Sequence, residues 1–93
     1  MKVIWTPEAE QDRSEIWDYI ASDNVDAAIR MDEIFGAATD RLAEHPLMGK
    51  PGLIPHTREF IPHESYRLVY QIEEATVWIL ALVSTARLWP PVK

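Results

Sequence analysis

Apolar residues recur at helical spacing in the first half of this 93-residue chain and alternate at strand spacing in the second half. Lys2 to Trp5 alternates and is rich in β-formers, which predicts a short strand. Thr6-Pro7-Glu8 then reads as a helix start: Thr as N-cap, Pro at the first helical position, an acid in the first turn. The helix extends to about Ala21, with Ala9, Ile16, Trp17 and Ile20 as its apolar stripe and Tyr19 at the flank. Arg13 interrupts the stripe, where its stem can cover apolar surface while its head reaches water. Ser22-Asp23-Asn24 is a break and a second cap. Ala28, Met31, Phe35, Ala38 and Leu42, with Ile34 beside them, predict a second helix from about Val25 to Ala43. His45-Pro46 ends it, and the short connection predicts an antiparallel helix pair.

The segment "HPLMGKPGLIPH" has two glycines and three prolines and reads as a loop. Three strands follow, Thr57–Ile61, Tyr66–Glu73 and Thr76–Ser84. The expected order is βααβββ, one α+β domain over residues 1–93, an antiparallel meander with the helical hairpin on one face. A turn at Glu74-Ala75 sets Ile72 opposite Val77, Tyr70 opposite Ile79, Leu68 opposite Ala81 and Tyr66 opposite Val83, all apolar or aromatic and facing the helices. With Pro62–Ser65 as a four-residue loop, Phe60 opposes Arg67 and Arg58 opposes Val69. The second face then combines Phe60, Val69, Trp78, Leu80 and Leu82 with Arg58 and Arg67, a candidate binding surface. Two simpler outcomes compete. The tail Leu88-Trp89-Pro90-Pro91 can fold over this face, and Arg67 can pair with Glu59 or Glu64.

Composition narrows the classes. The absence of cysteine excludes a disulfide framework and cysteine-based zinc sites, and no His/acid pair has zinc spacing, so neither metal nor cofactor is expected. "MKVIWTPEAEQD" lacks the apolar run of a signal peptide, and Val77 to Val83 is too short for a membrane helix, so a cytoplasmic protein without membrane contact is expected. The net charge of −6 is uneven. Residues 1–44 hold eleven acids and four bases; residues 45–93 hold four acids and five bases. Broad attraction to nucleic acid is therefore disfavoured, because it needs many Lys/Arg contacts. Glu8, Glu10, Asp12 and Glu15 suit the start of the first helix and read as solvated. His45 suits a helix end, and His56 and His63 follow prolines in loops.

"IWTPEAEQD", "IWDYI", "HPLMGKPG", "TREF", "YRLVY" and "ARLWP", in this order and spacing, resemble the RelE/ParE superfamily of toxins from bacterial type II toxin–antitoxin systems. The resemblance spans essentially the whole chain. It implies a growth-arresting toxin, of the kind that stabilises plasmids, held inactive by a cognate antitoxin that alone contacts operator DNA. RelE-type relatives cut mRNA on the ribosome without a metal; ParE-type relatives inhibit DNA gyrase.

A metal-free ribonuclease needs a base for the 2′-hydroxyl, cations for the phosphorane and an acid for the leaving oxygen. By resemblance, Arg58 and Arg67 match phosphate-facing basic positions; Arg87, at the end of the last strand, is a third candidate, and Lys50, His56 and His63 lie on loops that can border the same surface, with solvated side chains as the favoured reading of the two histidines. Three departures count against cleavage. Phe60 stands where a second basic residue is expected, the tail lacks tyrosine, and Ser84 stands where relatives often carry His, and serine cannot replace imidazole. The acidic balance also disfavours approach to ribosomal RNA. Gyrase inhibition is the favoured expectation, with mRNA cleavage, inactivated at Ser84, as the alternative.

Overall fold

The computed structural model describes residues 1–91. The chain runs β1 (Lys2–Trp5), α1 (Pro7–Ala21), α2 (Val25–Glu44), β2 (Lys50–Pro51), β3 (Arg58–His63), β4 (Tyr66–Glu73) and β5 (Thr76–Ser84). The strands form one sheet in the order β1-β5-β4-β3-β2. Strands β3, β4 and β5 make the expected antiparallel meander; β1 joins β5 in parallel, so the sheet is mixed. The two-residue β2 lies inside the segment read as a loop and pairs with Glu59 and Arg58.

Both helices start where their caps dictate. Thr6 Oγ1 accepts from Ala9 N at 3.2 Å, and Asn24 Oδ1 accepts from Ala27 N at 3.0 Å. Thr6 also ties the start of α1 to the sheet, since its amide and its hydroxyl both donate to Ile79 O. The helical hairpin covers one face, where Phe35, Leu42 and Ala9 meet Leu68, Tyr70, Val77 and Ile79. The Arg13 head does not simply reach water. Its Nε lies 2.6 Å from Asp32 Oδ1 on α2, and the guanidinium carbon sits 4.7 Å from the Trp5 ring centroid, so it joins β1, α1 and α2.

The β4–β5 register matches expectation from the turn up to Tyr70/Ile79 and then slips. Leu80 is an extra residue: Ala81 opposes Val69, Leu82 opposes Leu68, and Val83 opposes Arg67. Leu82 therefore enters the helix-facing core and Val83 passes to the far face, the reverse of the sequence-based assignment. A second correction concerns β3, which reaches His63 and pairs Phe60 with Leu68 and Arg58 with Tyr70. Phe60 accordingly packs against the core, with the Arg41 guanidinium 5.5 Å from its ring centroid.

Tyr70 is fully buried, and its hydroxyl fastens the chain leaving α2. It accepts from Gly49 N at 2.9 Å and donates to Pro46 O at 2.7 Å. A Cβ at Gly49 would lie 2.7 Å from both Glu59 O and that hydroxyl, so only glycine fits. Tyr70→Phe should cost about 1–3 kcal/mol, because it strands a buried amide, and calorimetry at one pH measures this directly. Leu42→Ala, at a fully buried site, should cost roughly 2–5 kcal/mol in denaturant unfolding.

Candidate functional site

The three candidate arginines occupy three separate environments. Arg58 stands on the helix-facing side of β3, opposite Tyr70. Its Nε donates to Gly49 O at 3.0 Å and its terminal nitrogen reaches Leu47 O at 3.2 Å, so the guanidinium clamps the same loop that Tyr70 holds. Arg67 lies on the far face, opposite Val83. Its Nε lies 3.3 Å from Glu59 Oε1, the pairing that the sequence left open. Both side chains are mostly buried, 21% and 13% exposed, and the approach lacks hydrogen-bond alignment. Arg87 follows β5 and is exposed, at the mouth of a cleft between α1 and the end of the sheet.

Ser84 lines that cleft, and its Oγ accepts from Ala86 N at 3.2 Å, capping the turn after β5. The cleft holds about 360 Å³. Tyr66 forms part of its wall and meets Phe35 edge-on at 5.5 Å. Burial and, secondarily, the neighbouring Tyr19 phenol hold the Tyr66 hydroxyl above the usual phenol range, so at neutral pH it stays protonated and is no base. Lys50 is exposed on β2 opposite Glu59. His63 Nδ1 accepts from Ser65 N at 3.1 Å and shapes the β3–β4 turn, while His56 sits in a surface loop with φ 69°.

The residues expected on one shared apolar surface also divide. Phe60 and Leu82 face the helices, whereas Val69 is on the far face and only 1% exposed. Trp78 and Leu80 are half-buried. The far face is therefore no broad open apolar platform. Trp89 in the tail is half-buried with its indole Nε1 sealed from solvent, so the tail returns to the protein instead of extending into solvent.

Residues 3–89 match the family described as "ParE toxin of type II toxin-antitoxin system, parDE". The chain belongs to the ParE toxin family. It is 38% identical over 92 residues to "Putative toxin Y4kP" of Sinorhizobium fredii (strain NBRC 101917 / NGR234), covering 98% of this chain and 95% of that protein. Its fold is similar to that of a chain in the structure titled "Chromosomal ParDE TA system from P. aeruginosa", with a TM-score of 0.78 at 18% identity over 90% of this chain and 95% of the other. The "YoeB/ParE toxin from Agrobacterium tumefaciens" aligns with a TM-score of 0.64 at 16% identity, over 88% and 95% of the two chains.

In this ParE-family chain the sequence reading missed Asp12. It read as a solvated helix acid, yet its Oδ2 accepts from Leu82 N at 3.1 Å. Nothing local signals this, because it depends on the slip at Leu80. Tyr70 did carry a signal: a tyrosine in an apolar ladder brings a buried hydroxyl that requires partners.

Arg67→Ala should destabilise the fold by up to about 3 kcal/mol, the low end for a broken buried pair since some of Arg67 remains exposed. Arg67→Met with Glu59→Leu should recover much of that loss in urea unfolding. An additive loss in the double variant would show that the pair is not coupled.

Proposed function

We propose that this ParE-family chain is a growth-arresting toxin that inhibits DNA gyrase as a protein target and is neutralised by a cognate antitoxin. The observation that carries this reading is the dispersal of the basic residues. Arg58 is committed to loop carbonyls, Arg67 faces the other side of the sheet against Glu59, and Arg87 stands alone at the cleft. Phosphoryl transfer within RNA requires cations converging on one phosphate, beside a proton acceptor and a proton donor. Here the cations do not converge, and the cleft offers Ser84 and a neutral Tyr66 in place of imidazole. The net charge of −6 also opposes approach to ribosomal RNA and carries no such penalty toward a protein surface.

Purified protein added to gyrase should impair supercoiling, and induction in cells should arrest growth with a DNA-damage response while mRNA stays intact. Codon-specific mRNA cuts on purified ribosomes, abolished by Arg67→Ala in a sample that still melts cooperatively, would overturn the reading. The melting control matters because Arg67 also supports the fold. Ser84→His should produce no mRNA cleavage in the same ribosome assay, because the imidazole would enter a cleft that neither Arg58 nor Arg67 lines.

A further inference from the structure

Val69 and Val83 point away from both helices, yet only 1% and 7% of their surfaces are exposed. With the helical hairpin on the opposite side, the far face takes its cover from segments outside the helices and strands. The loop after β2 guards one part of it: a Cβ on Gly52 would lie 3.1 Å from Glu59 Oε2. The tail guards another. Thr85 anchors its root, the amide donating to Ser65 O at 2.9 Å and the hydroxyl to Glu64 O at 2.6 Å. Arg87 N then donates to Ser84 O at 3.0 Å, which reverses the chain. On the helix side of this turn the cleft is lined by Ser84 and Arg87 but not by Trp89, which leaves the far side for the sealed Trp89 indole.

Past Arg87 the attachment changes character. Among the described residues no hydrogen bond joins Leu88–Pro91 to the rest of the chain. Pro90 and Pro91 have no amide to give to a ladder. What holds this arm is apolar burial of Trp89 and Pro90, both half-buried. Two sealed donors oppose it, since Trp89 Nε1 and Arg67 Nε each lack a hydrogen-bond acceptor. Water satisfies both when the arm lifts, so closure gives up bonds that solvent supplies. An arm tied by burial alone opens before a core tied by ladders. We propose that Ala86–Pro91 is a strap, hinged just after Thr85, that opens while the rest of the fold stays intact and so gates access to the Arg67–Glu59 pair. Closed, those two side chains are 21% and 13% exposed. Open, Arg67 changes from an internal contact into an accessible cation beside Val69 and Val83. The gate is independent of which target the toxin acts on.

The test is native-state hydrogen exchange by NMR on the full chain, at several low urea concentrations. Three protons are followed: the Trp89 indole N–H, the Arg67 Nε–H and the backbone amide of Tyr70, which is fully buried in β4 and reports global unfolding. The two side-chain protons should show matching protection, at least roughly 100-fold below that of Tyr70 and insensitive to urea, the signature of an opening that exposes little surface. β-(3-benzothienyl)alanine in place of Trp89 keeps the ring shape and lacks the N–H. It should raise the protection of Arg67 Nε–H roughly tenfold, because closure no longer strands that donor. Trp89→Gly should remove the protection of Arg67 Nε–H and leave that of Tyr70 in place. If Trp89→Gly unfolds the chain, the benzothienyl variant decides the matter alone. Side-chain protons that exchange only together with Tyr70, Arg67 protection that survives Trp89→Gly, or unchanged protection in the benzothienyl variant would overturn the proposal.

Discussion

The pairing of β4 with β5 around Leu80 governs most of what the molecule presents. Between the turn and Tyr70 the two strands keep a regular ladder, and Val77, Ile79, Tyr70 and Ile72 meet the helical hairpin. One inserted residue then exchanges the faces of everything that follows on β5. Leu82 becomes core, Val83 crosses over to lie opposite Arg67, and the Leu82 amide comes within reach of Asp12. The slip occurs just after Ile79, the residue whose carbonyl receives both the amide and the hydroxyl of Thr6. The place where β1 stops, the place where α1 begins and the place where β5 changes register are thus one locality.

A different clamp holds the other side of the sheet. Tyr70 and Arg58 both reach the loop after α2, one through its hydroxyl and the other through its guanidinium, and Gly49 serves both of them. The loop consumes a charge that could otherwise have met a ligand. The same is true of Arg67 and Glu59 on the far face, and of Arg13 and Asp32 between the helices. In a ParE-family chain with nine bases against fifteen acids, holding three arginines in internal contacts leaves fewer free cations on an exterior that is acidic by composition.

Elements and caps were legible in the sequence because they follow from local causes. Thr6-Pro7 and Asn24 start helices by their own chemistry, and the alternation over Tyr66–Glu73 and Thr76–Ser84 gave both strands their observed limits. The Arg67–Glu59 contact was visible as one of two options. Faces beyond the slip were not legible, since an inserted residue leaves the alternating pattern intact and only shifts its phase. Phe60 and Arg58 were misplaced for the same kind of reason: a four-residue loop was expected where β3 continues to His63. An error of one position in each strand was enough to gather on one surface side chains that the fold separates.

Proline placement along the β2–β3 side has a consequence for how the protein behaves at high concentration. Strand β2 covers only the beginning of β3 and itself ends in Pro51, while the uncovered remainder of β3 contains Pro62 and an irregular register. Neither proline has an amide hydrogen to offer a neighbouring chain, and the irregularity bends the strand away from a straight template. Copies of the protein are thereby hindered from stacking sheet to sheet through this rim, so the concentrated protein is guarded there against fibre-like self-assembly.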